Sequence, residues 1–183
     1  YGADNPAVLP ALANVGSAPV NLTGWSVQYT SAAGTNWAVT PLDGTLPAGA
    51  TYVVREGQGS GGTQDVTGDV TGTIAMGAGS GKVALVNTGT ARAGCAATCS
   101  QLPLFVDVVG FGTTANDYAG TGPTPAPSNT AAVSRNATHT NTPDNATDFT
   151  AGTPTLMACG TACVTAPTEP VERTIAQIQD TGP

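Results

Sequence analysis

No stretch of this 183-residue chain holds a helical apolar period across three turns. Its apolar residues come in short alternating runs, each cut off by Gly, Pro, Asn or Asp. Between Ser17 and Tyr29, Val20 and Leu22 alternate, Gly24 interrupts, and Trp25, Val27 and Tyr29 resume. A glycine inside a strand pattern marks a bend or bulge. Here it is read as the point at which Trp25 turns inward.

The same grammar continues along the chain. Trp37–Leu42 reads as the return strand of a hairpin whose loop is Ser31–Asn36, and Tyr52–Arg55 as a further strand. Gly81–Thr90 is a strand ending in an Asn-Thr-Gly turn, and Leu102–Gly112, the longest apolar run, reads as a central buried strand. Asn129–His139 has room for one short strand, and Asn141–Thr155 reads as capped turns around Phe149. Abundant Thr favours strands, while 24 Gly and 14 Pro favour turns. About eight short strands with frequent turns predict an all-β, immunoglobulin-like β-sandwich with long Gly/Pro/Thr-rich loops. The predicted core is Trp25, Val27, Trp37, Val53, Val83, Leu85, Val106, Val108 and Phe149. For the two Trp rings the alternative is a sugar-stacking surface platform.

Pro10 cannot donate to a strand ladder, so residues 1–16 read as an edge strand or irregular lead-in. Residues 17–155 form the sandwich, and 156–183 a Cys-containing linker and tail. Four cysteines fall in two pairs of one spacing, Cys95/Cys99 and Cys159/Cys163. An even count in an acidic, Thr/Gly/Pro-rich chain points to disulfides and an extracellular or cell-surface setting, with each pair closing locally. Zinc is the alternative, against the usual ligand spacing.

Charge narrows the partners. Net charge is −7, and the five cations, Arg55, Lys82, Arg92, Arg135 and Arg173, are scattered. Nucleic-acid binding needs clustered cations, so none is expected directly. No apolar stretch is long enough to span a bilayer as a helix. Tyr1 is not an initiator Met, which suits either a processed mature end or an artificial boundary.

Chemistry is sparse. His139, the only histidine, lies in a polar loop with no partners at recognisable spacing, and no nucleophile elbow, phosphate loop or zinc-protease helix is present. The chain is therefore read as no enzyme, and no cofactor is expected. Calcium is the one candidate ion, with Asp144, Asn145 and Asp148 supplying oxygens from a single loop, although the spacing is not that of an EF-hand. Asn21, Asn136 and Asn145 begin sequons, at a frequency near chance for so Thr-rich a chain.

Several motifs in order carry a resemblance to one family. They are "GSAPVNLTGWSVQYTSAAGTNWAVTPLDGTLPAGATYVV", "TGTIAMGAGSGKVALVN", "VDVVGFGTTANDYAGTGPTPAPSNTAAVSRN" and "DNATDFTAGTPT". Over roughly Val8 to Thr155 the chain resembles a bacterial lamin-tail domain. That resemblance implies an immunoglobulin-like sandwich of secreted and surface proteins, often beside hydrolase domains such as nucleases. The stretch Arg173–Pro183 is similar to the connector preceding later domains in those nucleases. Two departures stand out. The acidic residue usual before the first Asn-x-Gly turn is missing from the Pro10–Ala11 region, and the usual basic ending after Asp-Phe-Thr is replaced by a cysteine-bearing segment.

The expected function is a non-catalytic extracellular structural or interaction module. Its partners are proteins, copies of itself among them. Assembly into a surface filament would proceed by strand addition through Ile175 and Ile178. The alternative is an accessory domain of a longer secreted nuclease or other hydrolase.

Overall fold

A computed structural model describes residues 9–57, 67–77, 79–128, 130–154 and 173–179. The strands are β1 (Ala11–Asn14), β2 (Val20–Asn21), β3 (Ser26–Ser31), β4 (Ala38–Pro41), β5 (Thr45–Leu46) and β6 (Thr51–Arg55). They continue with β7 (Val70–Thr71), β8 (Gly81–Val86), β9 (Phe105–Phe111), β10 (Ala132–Arg135), β11 (Phe149–Gly152) and β12 (Arg173–Gln179). One helical turn, α1 (Asn145–Asp148), precedes β11.

The strands form a six-stranded sheet ordered β11-β10-β12-β1-β6-β7, a four-stranded sheet ordered β4-β3-β8-β9, and a β2-β5 ribbon. Leu12, Tyr52, Val54, Val133, Phe149 and Ile175 from the first sheet share one core with Val27, Val83, Leu85, Val109 and Phe111 from the second. This is the all-β sandwich expected, held by burial worth roughly 1.5–3 kcal/mol per fully buried Val, Leu, Ile or Phe side chain.

β8 is buried along its whole length. Val83 and Leu85 face the sandwich core. Ala84 and Val86 face outward into a second cluster with Trp37, Cys99, Phe105 and Val108. Trp37 and Phe105 meet edge to face, their ring centres 5.4 Å apart. Trp37 is thus a core ring of the outer cluster, while Trp25 is only partly buried against the inner one. Gly24 takes a φ of +83°, a conformation that favours glycine, and closes the turn in which the Trp25 N–H donates to Leu22 O at 2.9 Å.

Several sequence expectations need correction. β1 is no edge strand, because β12 and β6 pair with it on either side. Pro10 precedes the ladder, and its carbonyl accepts from Val54 N at 2.9 Å. Residues 173–179 are no free tail but a strand between β1 and β10. Leu102–Gly112 yields β9, which lies at the end of its sheet. It is nonetheless buried, because the segment around Thr124 runs along its free side. Thr124 N donates to Gly110 O at 2.8 Å and Gly112 N to Thr124 O at 3.0 Å. A Cβ on Gly110 would come within 2.3 Å of Asp117 O, so only glycine lets the Asp117–Tyr118 segment pack so close to β9. In β6 the alternation runs opposite to the expectation. Tyr52 and Val54 point inward, and Val53 is half-exposed. Val106 is likewise only partly buried at the core margin, whereas Val27, Val83, Leu85, Val108 and Phe149 are buried as expected.

Candidate functional site

Two buried polar centres sit on opposite sides of the four-stranded sheet. The first seats β12. The ladder between β10 and β12 pairs Ala132 with Gln179, Val133 with Ile178 and Ser134 with Gln177. At the next step side chains take over from backbone. Ile175 N–H donates to Asp107 Oδ2 at 2.6 Å, and Arg135 Nε donates to Ile175 O at 3.2 Å. A register shift between β1 and β12 falls at the same place, with Ala11 opposite Gln177 and Leu12 opposite Ile175.

Asp107 comes from β9, so its carboxylate links the two sheets through the core. Arg135 Nη2 reaches it at 3.2 Å, Nη1 donates to Asp148 Oδ2 at 2.7 Å, and the guanidinium carbon lies 4.3 Å from the centre of the Phe149 ring. The side chains of both ion pairs are almost fully enclosed. Such pairs need good geometry and further hydrogen bonds to offset desolvation. Here Thr140 O accepts from Nη1 at 3.2 Å, and Asp148 accepts from Thr142 N at 2.9 Å. Burial alone would raise the Asp148 carboxyl, but the Thr142 and Arg135 contacts together hold it below its ordinary value. Ile175, one assembly candidate, is completely buried in this seat, and Ile178 pairs with Val133.

The calcium candidates lie beside this centre, and protein donors claim their oxygens. Asp144 caps α1 by accepting from Ala146 N and also takes the Thr121 hydroxyl at 2.8 Å, the contact that most lowers its carboxyl. Asn145 is fully buried, and its Oδ1 accepts from Gly110 N at 2.9 Å and Ala119 N at 3.3 Å. That enclosure leaves no room for a glycan in the folded chain and corrects the reading of Asn145 as an acceptor. Asn21 and Asn136 are exposed. Among the described residues no three His, Cys, Asp or Glu side chains converge as metal ligands. His139 is half-buried with a φ of +52°, and burial with nearby Arg135 pushes its imidazole down.

The second centre lies outside the four-stranded sheet, under the loop that follows β8. Gln28 anchors that loop, donating to Thr90 O at 2.9 Å and accepting from Arg92 N at 3.1 Å. Trp37 extends the anchor. Its N–H donates to Arg92 O at 3.0 Å and its indole Nε1 to Cys95 O at 3.1 Å. Cys95 and Cys99 form the expected local disulfide, while Cys159 and Cys163 lie outside the described residues. Beneath the loop, fully buried Lys82 donates from Nζ to Gly34 O at 3.2 Å, to Asn116 Oδ1 at 2.7 Å and to Ala96 O. Its amine lies 5.6 Å from the centre of a Trp37 ring. Asp117 accepts from Ser100 Oγ at 2.6 Å and Ser100 N at 3.1 Å, fixing the turn just after the disulfide. Burial pushes the Lys82 amine below its ordinary value, and the Asp117 charge opposes the shift.

Sequence reasoning missed the roles of Lys82, Asp107, Asn116 and Arg135 in these two centres. The available signal was a charge set into an apolar strand pattern, as in Phe-Val-Asp-Val-Val and Gly-Lys-Val-Ala-Leu-Val. A surface depression of about 620 Å³ beside β4 is lined by Tyr29, Thr35, Asn36, Val39, Thr73 and Ile74 with their neighbours. No helix among the described residues is long and apolar enough to cross a membrane.

No curated protein and no solved structure matches the chain significantly. The family model described as Lamin Tail Domain matches residues 11–100, from β1 to the turn after the disulfide. The sandwich itself runs on through β9 to β12. With the motif order, the all-β layers and that match in agreement, residues 11–100 are identified as a lamin tail domain, a non-catalytic immunoglobulin-like module.

Proposed function

We propose that this chain is an extracellular structural and interaction module that joins other copies of itself by exchanging β12. The observation that carries the reading is the seat. β12 lies between β1 and β10, and those strands do not otherwise pair with one another. A strand from a second copy would make the same ladder and meet the same Asp107 and Arg135 contacts. The 18 residues between Pro154 and Arg173 could span at most about 60 Å, at about 3.3–3.6 Å per extended residue. The Cys95–Cys99 disulfide supports an oxidising, extracellular setting.

Two differently tagged full-length chains, mixed and passed over a sizing column with light scattering, should form mixed dimers or larger species. Ala13 and Thr174 are register partners across β1 and β12. Replacing both by Cys and closing the disulfide in isolated monomer before mixing locks β12 at home and should abolish the mixed species. Monomers alone at every concentration, or mixed species that survive the lock, would sink this reading.

A second reading is an accessory domain of a longer secreted nuclease. The segment that resembles the nuclease connector is β12 itself, so a following domain would be anchored directly to the sandwich. A reading frame running past Pro183 into acidic and histidine metal motifs supports it, and an immediate stop codon removes it.

A further inference from the structure

We propose that Lys82 and Asn116 are joined by an amide bond, formed inside the folded chain between the lysine amine and the asparagine side-chain carbonyl carbon with loss of ammonia. The two groups are already in contact. Nζ lies 2.7 Å from Asn116 Oδ1. With a C=O length of about 1.2 Å, Cγ is then no farther than about 3.9 Å from the amine, close to the about 3–3.5 Å of a near-attack arrangement.

Neither partner is free to wander. Gly34 O and Ala96 O hold the amine from other sides, and Asn116 N donates to Ala32 O at 3.1 Å. The amine is enclosed, with Lys82 fully buried under the disulfide loop and against Trp37. The three oxygens that contact Nζ are formally neutral, so no ion pair pins the proton to the amine. Asp117, next in sequence to Asn116 and 4% exposed, is near enough to act on Lys82 through its charge. We assign it as the proton carrier and positioning residue. Its carboxylate accepts from Ser100 Oγ and Ser100 N in the folded chain and must turn to within hydrogen-bond reach of Nζ to serve as the general base an amine nucleophile needs.

The step balances without a co-reactant. The Nζ–Cγ bond forms and the Cγ–Nδ2 bond breaks. The lysine ammonium gives up two protons in all, by way of Asp117, and Nδ2 leaves as ammonium. Nothing is oxidised or reduced. The product crosslinks β8 to the loop after β9, independently of the strand-exchange reading above.

Intact-mass measurement of the full chain, reduced and alkylated, tests this. The expected mass is about 17 Da, the mass of ammonia, below that of the sequence with its four cysteines alkylated. Trypsin should leave Lys82 uncut, giving residues 56–92 linked to 93–135. Lys82→Met should restore the sequence mass. Asp117→Asn should keep the far-ultraviolet spectrum yet lose the link. An unchanged wild-type mass overturns the proposal and leaves Lys82 as a buried amine held by hydrogen bonds. A 17 Da loss without the branched peptide, as in succinimide formation, also overturns it. A folded Asp117→Asn chain that is still linked overturns the role given to Asp117.

Discussion

Arg135 sits between two carboxylates, whereas Lys82 sits among three neutral oxygens. Both are basic, both are buried, and each ties together segments distant in sequence. The difference follows from their chemistry. A guanidinium keeps its charge at any ordinary pH, so burying it requires counter-charges, and its fork meets two carboxylates at once. An amine can shed its proton when desolvated and needs only acceptors. The arginine centre is therefore a permanent ionic clasp between the sheets. The lysine centre is a pinned amine beside a carboxamide, the setting in which a nucleophile can act.

Removing the clasp should have the largest effect. Arg135→Met leaves Asp107 and Asp148 buried without their cation and should cost about 3–5 kcal/mol in urea denaturation. A cost near zero would erase the contrast between the centres. Next comes Ile175→Ala, which hollows the seat of β12 and should cost about 2–4 kcal/mol by the same measurement. Converting Cys95 and Cys99 to Ala frees the loop over Lys82 and should cost about 2 kcal/mol, given the short ring it closes. Trp37 emission, read with Trp25 replaced by Phe, should shift to the red, while Ile175 amide exchange stays slow. If both move together, the two centres are one cooperative unit.

The smallest effect belongs to Glu56, which lies apart from both. It is buried, its Oε2 accepts from Ile74 N at 3.1 Å, and burial pushes its carboxyl above the ordinary value. A raised folded pKa means that the fold prefers the protonated form. Its contribution is complete below the unfolded pKa and lost as pH rises through the folded one. Glu56→Gln keeps the carbonyl acceptor, so it should raise Tm at pH 8 and leave it nearly unchanged at pH 4. A gain that does not grow with pH would place the Glu56 carboxyl in water.

The strands and their turns were legible because alternation and Gly or Pro punctuation are local. β3, β4, β6 and β8 fall where the pattern put them. What failed was whatever depends on a distant partner. Val53 and Val54 are both apolar, and only pairing of β6 with β1 decides which points inward. Trp37 read correctly as buried, but its cover, the loop around Arg92 and Cys95, is more than fifty residues away. The seat was least legible. The Ile175–Asp107 contact spans 68 residues, and a Pro-rich approach made Arg173–Gln179 look like a free end. Asn145 looked like a sequon because a sequon is read from three residues, while its burial depends on Gly110 and Ala119.

β1 lies between β6 and β12, so it cannot gain its second neighbour until β12, far downstream in the chain, is available. During synthesis, one side of β1 stays unpaired until residues 173–179 leave the ribosome. Such late, long-range closure predicts slow folding and a nascent chain prone to pairing with the wrong strand. A chaperone or a rapidly oxidised Cys95–Cys99 loop would then matter more to yield than to the stability of the finished sandwich.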